Sequence, residues 1–347
     1  MRVRPVHQQD APRATARNVG PVTGLTPLGM PAVPPPTSAP PWKQAWDAAL
    51  FGPQGFFRRE TPAAHFRTSA HVSPVFARAL VRMTREADLD TLVDIGAGGG
   101  ELLSAVHDLD PALDLLGVEV AARPAGLPDA VAWTTALPES VDGLVVANEW
   151  LDTIPCHVVE VAADGEPRVV HVDPVTGAES LGHPLSHASV PASLPTWLER
   201  WWPLDGAAPG TRAEVGTTRD AAWEDVVGRV RHGIAVAVDY GHLRADRPAS
   251  GSLRSYLSGR QVEVLPDGSR DVTAHVAVDA VADRTGAVVR RQREVLRDLG
   301  VTAALPEPEL ATADPAGYVR ALSRAGEAAE LIASGGLGDF WWLVTTR

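Results

Sequence analysis

The stretch Leu92-Val93-Asp94-Ile95-Gly96-Ala97-Gly98-Gly99-Gly100-Glu101-Leu102-Leu103 decides the fold of this chain. Its first four residues predict a buried strand, residues 102–106 predict a helix, and the glycines between them predict a tight turn. Residues 113–119 predict a second strand. A strand, a helix and a strand in this order are typical of an α/β sheet with parallel strands.

The glycine cluster indicates a ligand site at the start of the helix, where backbone N–H groups are free. A dinucleotide-binding turn needs G-x-G-x-x-G, but the last position in that register is Glu101, which disfavours a nicotinamide oxidoreductase. The remaining G-x-G-x-G, with Asp94 just upstream, suits S-adenosylmethionine, which has an amino-acid end but no pyrophosphate. Glu119 ends the second strand, where its carboxylate can accept both ribose hydroxyls. The alternative is a glycine-rich turn without a ligand.

Patterns on either side extend this scheme. Helices are predicted at residues 42–50, 75–83, 221–230 and 288–299 and around the tryptophans at 197–202; strands at 144–147, 234–238 and 340–344; an inserted antiparallel hairpin at 158–161 and 169–172; an aromatic turn at 51–57; and a polar, glycine-rich excursion at 242–271.

Composition excludes several classes of protein. The chain has 347 residues, 45% of them hydrophobic, which is enough for one large domain or two modest ones with a buried core. A net charge of -12 argues against a nucleic-acid partner. No apolar run approaches the roughly 18 residues of a membrane helix, so we expect no membrane insertion. Cys156, the one cysteine, allows no disulfide and suits a cytoplasmic location.

Residues 1–41 are rich in proline and predict a disordered tail. The alternative is a mitochondrial presequence that uses Arg2, Arg4, Arg13 and Arg17. It is the weaker reading, because the prolines would break an amphipathic helix.

A second group of polar residues follows the strand at 144–147. Asn148, Glu149 and Asp152 come just after its carboxyl end, where ligands bind in open α/β sheets. A helical turn would place the carboxylates of Glu149 and Asp152 on one face, and two carboxylates can bind a planar guanidinium. The alternative is that Asn148 or Asp152 caps the next helix and Glu149 is solvated.

A third group comprises Asp239-Tyr240-Gly241 and Asp271-Val272-Thr273-Ala274-His275. Asp239 would face the same crevice if the strand order allows it. His275 is either a base or a packed, hydrogen-bonded core residue. His183 and His187 are separated by Pro184, so we expect no metal site there. Neither a G-x-S-x-G elbow nor a P-loop lysine is present.

The motifs together resemble the MidA-like S-adenosylmethionine-dependent methyltransferases, whose mitochondrial members methylate an arginine of a respiratory complex I subunit. The resemblance runs from about residue 42 to the end and includes Asp94 to Gly100. Its other motifs are Phe51-Gly52-Pro53-Gln54-Gly55-Phe56-Phe57, Arg67-Thr68-Ser69-Ala70-His71-Val72-Ser73-Pro74-Val75-Phe76, Ala147-Asn148-Glu149-Trp150-Leu151-Asp152-Thr153-Ile154-Pro155, and the pair Asp239-Tyr240-Gly241 and Asp271-Val272-Thr273-Ala274-His275-Val276.

The resemblance implies an α/β class I methyltransferase fold, Rossmann-like, with a seven-stranded, mostly parallel sheet. Residues 42–347 would form this domain, with an N-terminal helical segment at 42–90 and insertions at 156–215 and 242–285. S-adenosyl-L-methionine would be the cofactor. The substrate would be an arginine of a partner protein, and a respiratory complex I subunit is one candidate for that protein. Rival functions are methylation of a small molecule and a cofactor-binding assembly factor without essential catalysis.

The resemblance also implies a role for each site residue. Asp94, Gly96, Ala97, Gly98, Gly100 and Glu119 would bind the cofactor; Asn148, Glu149 and Asp152 would be catalytic; Asp239, Tyr240, Asp271 and His275 would bind the substrate. No metal is expected, and the oligomeric state stays open.

Overall fold

The computed structural model describes residues 39–59 and 74–347. The predictions for residues 1–38 and for the motif residues 67–73 lie outside this range. Of the predicted tail, only residues 39–41 are described, and they run along a strand: the Pro40 carbonyl accepts a hydrogen bond from the Val172 N–H at 3.0 Å.

The described elements are as follows. The strands are β1 (Thr91–Ile95), β2 (Asp114–Val118), β3 (Val131–Thr134), β4 (Val141–Asn148), β5 (His157–Val161), β6 (Pro167–Val172), β7 (Glu179–Pro184), β8 (Arg212–Val215), β9 (Val230–Asp239), β10 (Gly241–His242), β11 (Arg254–Leu257), β12 (Arg260–Val262), β13 (Asp271–Thr273), β14 (Val276–Ala277), β15 (Val288–Arg291) and β16 (Trp341–Thr346). The helices are α1 (Trp42–Phe51), α2 (Phe56–Arg59), α3 (Pro74–Glu86), α4 (Glu101–Leu109), α5 (Ser193–Trp201), α6 (Thr217–Arg229), α7 (Val278–Thr285), α8 (Gln292–Asp298), α9 (Pro308–Ala313) and α10 (Pro315–Ile332). None of the helices in the described ranges is long and apolar enough to span a membrane.

The central sheet has seven strands in the order β15-β16-β9-β4-β1-β2-β3. The neighbours from β9 to β3 are parallel, whereas β16 is antiparallel to both β9 and β15. The predicted seven-stranded, mostly parallel sheet is therefore confirmed. The chain passes from β1 to β2 and β3 on one side and to β4 and β9 on the other, so the strand order reverses between β1 and β4. Ligand crevices of open α/β sheets form at such a reversal, at the carboxyl ends of the strands.

Alternating side chains bury both faces of this sheet. Leu144 and Val146 belong to a core shared with α3, α4, α8 and α10, whereas Val145 and Ala147 belong to one shared with α6 and α7. Successive residues of a strand point to opposite faces, so one short apolar run supplies two layers of core.

A second sheet, with the antiparallel order β7-β6-β5-β8, contains the predicted hairpin. Helix α5 packs on one of its faces. Helix α1 packs on the other, together with Val272 of β13. The indole of Trp46 donates to the Val272 carbonyl at 2.8 Å. The N-terminal helical segment is thus attached to the inserted part of the chain.

The helix predicted at residues 288–299 is wrong over its first four residues. Val288–Arg291 form edge strand β15, and only Gln292–Asp298 are helical. The β-branched Val288 and Val289 pair with Val344 and Leu343 of β16. This tertiary pairing overrides the local helical spacing, because β16 offers an open edge and β-branched residues fit a sheet well.

Substituting Val146 by Ala should destabilise the fold far more than the same change at Val288. Val146 is 0% exposed in a central strand, and Val288 is 62% exposed at the sheet edge. We expect a loss of about 2 kcal/mol in the free energy of unfolding for Val146→Ala, and about 0.5 kcal/mol or less for Val288→Ala. Chemical denaturation of both variants measures the difference, and equal losses would contradict the described burial.

Candidate functional site

The turn between β1 and α4 holds three glycines in left-handed backbone conformations. The φ angle is +73° at Gly96, +55° at Gly98 and +76° at Gly100. Gly100 is also the N-cap of α4. Residues with a Cβ atom reach this region only with strain, so the turn requires glycine. It leads into the first turn of α4, where backbone N–H groups can bind a polar ligand.

Gly96 links the turn to the strands on both sides of β1. A Cβ atom on Gly96 would lie 2.7 Å from Cδ1 of Trp150, which follows β4. The Gly96 N–H donates to the carbonyl of Val118, the last residue of β2, at 2.9 Å. The turn therefore lies where the strand order reverses.

Glu119, the residue after β2, contacts the same turn. Its Oε2 accepts a hydrogen bond from the Gly98 N–H at 2.9 Å, and its Oε1 accepts one from the Val120 N–H at 2.6 Å. Burial raises the pKa of Glu119, and hydrogen bonds from the backbone oppose this effect. The structure thus brings Glu119 beside the glycines, although 18 residues of the sequence separate it from Gly100.

Asp94 and Ala97, two other predicted cofactor residues, lie deeper. Asp94 is 4% exposed, and burial raises its pKa well above the usual range. The nearby charges of Glu119 and Glu101 raise this pKa further, by smaller amounts. The side chain of Ala97 packs in the core beneath the turn. Ala97 can therefore contact a ligand only through its backbone.

The segment after β4 does not form the predicted helical turn. Glu149 has a left-handed φ of +51°, and a 3₁₀ turn follows at Leu151–Thr153. The prediction that Glu149 and Asp152 share a helical face is wrong, because the chain changes direction at Glu149. Glu149 lines the cavity described below, whereas Asp152 is only 4% exposed.

Asn148 lies beside Glu149, and its Nδ2 donates to Oε1 of Glu149 at 3.3 Å. Its Oδ1 is buried and has no hydrogen-bond partner in the described part of the chain. A buried polar atom without a partner costs about 1–3 kcal/mol. A ligand that donates a hydrogen bond to this oxygen would remove that cost.

Asp152 belongs to a buried polar network with Asp239, Tyr240 and Thr273. Its Oδ2 accepts hydrogen bonds from the hydroxyls of Tyr240 and Thr273. Its backbone N–H donates to Oδ2 of Asp239 at 3.1 Å, and Asp239 also accepts from the Tyr240 N–H at 2.9 Å. Burial raises the pKa of Asp152. Burial also raises the pKa of Asp239 well above its usual value, and the nearby charge of Asp152 adds to this effect. The network attaches the segment after β4 to the end of β9.

Arg219, which the sequence analysis missed, binds the same segment from α6. It is 1% exposed, and its guanidinium donates to the carbonyls of Asp152 at 2.6 Å, Ile154 at 3.2 Å and His275 at 2.8 Å. Its charge lowers the pKa of Asp152 and Asp239 against the larger effect of burial. A single arginine in a helix carries no sequence signal that distinguishes it from a surface residue.

Asp271 and His275 occupy different environments. Asp271 is 4% exposed, its Oδ1 has no partner among the described residues, and burial raises its pKa well above normal. His275 is exposed, so the core-histidine alternative is wrong. Its ring packs edge-to-face on Tyr240 with centroids 5.2 Å apart, and partial desolvation lowers its pKa.

A cavity opens beside the glycine turn. It is lined by Phe51, Phe57, Gly96, Val118, Glu119, Val120, Thr135, Leu137, Glu149, Trp150 and Thr153. Phe51 and Phe57 come from the aromatic turn of the sequence motif, to which the sequence reasoning assigned no role. The cavity thus joins three parts of the chain: the N-terminal segment, the edge of β2 and β3, and the segment after β4.

These groups fit S-adenosylmethionine. The glycine turn leaves room for close backbone approach, the Glu119 carboxylate can accept ribose hydroxyls, and the apolar side chains of Val118, Val120 and Leu137 can pack on a nucleobase. Among the described residues no cluster of histidine, cysteine and carboxylate side chains could hold a metal ion.

Gly96→Ala should weaken binding of S-adenosylhomocysteine at least about tenfold, because the new methyl group meets Trp150 and strains the turn. Gly165→Ala is the matched control: its φ is +85°, but its Cβ meets no atom within 4 Å, in a hairpin turn outside the cavity. Titration calorimetry on both folded variants measures the effect. Unchanged affinity in Gly96→Ala would contradict the described turn.

Solved structures support the fit. One similar structure is that of a superfamily protein from Burkholderia thailandensis bound to S-adenosyl-homocysteine. Its TM-score is 0.70 and its sequence identity is 25%, and the match covers 88% of this chain and 87% of that chain. A native structure of a protein of that superfamily, also from Burkholderia thailandensis, gives a TM-score of 0.70 and 26% identity over the same shares. No curated protein matches the chain.

A family model gives the stronger result. Residues 75–294, more than half of the chain, match Methyltransf_28, which is described as an S-adenosyl-L-methionine-dependent methyltransferase family. The matched range includes the glycine turn, Glu119 and the buried network around Asp152. The cofactor is therefore S-adenosylmethionine, and the chain belongs to this family of S-adenosyl-L-methionine-dependent methyltransferases.

Proposed function

We propose that the chain transfers the methyl group of S-adenosylmethionine to the guanidinium of an arginine in a partner protein. The observation that carries the proposal is that the Glu149 carboxylate shares a cavity with the aromatic side chains of Phe51, Phe57 and Trp150. Carboxylates bind guanidinium N–H groups, and aromatic faces attract cations. Glu119 lines the same cavity, so cofactor and cation would meet there.

Glu149 would orient the nucleophile. The cofactor supplies a methyl group on a positively charged sulfur, and transfer requires a nitrogen lone pair aligned behind that methyl group. A carboxylate that accepts two guanidinium N–H bonds fixes the plane of the group and its distance. Transfer forms a nitrogen–methyl bond as the sulfur–methyl bond breaks, and one N–H proton of the guanidinium is lost to the solvent. The methylated guanidinium therefore keeps a single positive charge, which the Glu149 carboxylate stabilises.

The aromatic side chains would exclude water from the reacting groups. Phe51 and Phe57 line the cavity together with Trp150. In a site with little water, the attraction between the Glu149 carboxylate and a cation is stronger than in bulk solvent. Asn148 Oδ1, which lacks a partner among the described residues, would accept a further hydrogen bond.

In this proposal Asp152, Asp239 and Tyr240 act indirectly. Their hydrogen bonds fix the segment that carries Glu149, and their side chains are largely buried. Asp271 contributes to the same buried surroundings, since the charge of Asp152 affects its pKa. His275 is exposed next to Tyr240 and is the member of the predicted substrate set that a protein partner can reach.

The resemblance to the MidA-like proteins supports the choice of a protein substrate, and it makes a respiratory complex I subunit the first candidate. Four of the residues that carry this resemblance, Asn148, Glu149, Asp239 and Tyr240, lie at the cavity or in its supporting network.

Glu149→Gln should reduce methyl transfer about a hundredfold or more while leaving S-adenosylhomocysteine binding unchanged, because the charge that orients the guanidinium is lost. Glu139→Gln, an exposed change outside the cavity, serves as control. The assay uses purified protein, tritiated S-adenosylmethionine and a lysate of cells that lack the gene. Undiminished transfer by folded Glu149→Gln would remove the proposed role.

The lysate assay also distinguishes the rival functions. An arginine in a labelled protein band supports the proposal, and label only in small molecules supports a small-molecule methyltransferase. Cofactor binding without any labelled product supports an assembly factor, and either of the last two results contradicts arginine methylation.

Glu119→Gln should weaken S-adenosylhomocysteine binding about tenfold or more, because a charged acceptor of ribose hydroxyls is lost. The wild-type affinity should fall on acidification as Glu119 is protonated. Because burial raises its pKa, this fall should begin above the usual glutamate range near about 4.3. Calorimetry measures the affinity of the wild type and of Glu119→Gln across pH, and Glu166→Gln is an exposed control. The difference between the wild-type and Glu119→Gln profiles is the contribution of Glu119. If these two profiles are identical, the ribose assignment is contradicted.

A further inference from the structure

A second groove lies away from the cofactor cavity, between α3, α10 and the chain that follows α8. Its volume is about 410 Å³, which is room for several side chains. Its lining includes Arg78, Ala79 and Arg82 of α3 and Ala321, Arg324 and Ala328 of α10. None of these residues lines the cofactor cavity.

The groove is apolar at its base and positively charged at its sides. Ala79, Ala325 and Ala328 are small and buried. Arg78 and Arg324 line the groove and form no ion pair within residues 39–59 and 74–347. Arg82 is paired with Glu86 at 2.6 Å. The whole chain has a net charge of -12, whereas two arginines without an ion pair among the described residues make the sides of this groove positively charged.

Exposed apolar side chains flank the groove. Leu305 is 71% exposed and lies in the chain between two lining residues, Ala304 and Pro306. Leu322 is 42% exposed and is the neighbour of Ala321. Exposed apolar residues beside a groove are typical of a surface that binds a partner.

We propose that this groove binds an acidic, amphipathic helical segment of a partner protein. The segment would place its apolar residues between α3 and α10 and its carboxylates on Arg78 and Arg324, as in other helix-in-groove complexes. Charge complementarity selects this occupant. The chain's own residues 1–38 have four arginines and one acidic residue, Asp10, so they lack the required charge.

The test measures fluorescence anisotropy of a labelled synthetic peptide with leucines at helical spacing and glutamates at the other positions. Full-length protein should bind it saturably, and more weakly as salt is added, since exposed ion pairs are screened. The double variant Arg78→Ala/Arg324→Ala should lose about tenfold in affinity. Ala321→Trp should also weaken binding, because the indole fills the groove. Both variants should bind S-adenosylhomocysteine as the wild type does.

Arg260→Ala/Arg297→Ala removes two exposed arginines outside the groove and should leave peptide binding unchanged. Absence of saturable binding by the wild type overturns the proposal. Equal affinity for a peptide with glutamine in place of glutamate overturns it too, as does equal binding by wild type and both groove variants. If Ala321→Trp instead converts a dimer into a monomer, the occupant is a second copy of the chain and not an acidic partner.

Discussion

The packing of the glycine turn against Trp150 is the constraint on which the site depends. The absence of a side chain at Gly96 lets the turn after β1 and the segment after β4 approach each other at the reversal of strand order. Glu119 holds the turn from the other side through the Gly98 N–H. Three strand ends therefore meet around one cavity. The residues predicted to bind the cofactor and the substrate are positioned by strands in the core of the sheet, not by independent loops.

The segment after β4 keeps its shape through polar contacts that are costly to bury. Asp152 and Asp239 lie in the interior close to one guanidinium, that of Arg219, and burial raises the pKa of both carboxyl groups despite its charge. A well-packed apolar cluster would stabilise the fold at lower cost. The hydrogen bonds are directional, however, and they fix the left-handed conformation at Glu149 and the 3₁₀ turn that follows. In our proposal, the buried polar network lowers the stability of the fold compared with an apolar cluster, and in return it orients the Glu149 carboxylate.

The sequence predicted the parts of the molecule that follow from local pattern. The strand, glycine turn and helix from Thr91 to Leu109 have a periodicity and a glycine requirement that are visible in one window. Glu119 was predictable because residues that end parallel strands meet at one edge. The helix prediction at residues 288–299 was wrong over its first four residues because β16, over fifty residues away in the sequence, pairs with Val288 and Val289. The predicted orientation of Asp152 was wrong because no residue type at position 149 indicates the positive φ of Glu149. Arg219 was missed because its three acceptors are backbone carbonyls, which any sequence supplies.

A crystal structure of the full chain with S-adenosylhomocysteine tests the central claim most directly. The claim is that one cavity holds the cofactor and directs its sulfur toward Glu149. We predict that the ribose hydroxyls contact Glu119, that the amino-acid part lies at the glycine turn, and that the sulfur faces the space between Glu149, Phe51 and Phe57. A cofactor bound with its sulfur on the opposite side of the turn, or with Glu149 shielded from it by other side chains, would contradict the claim.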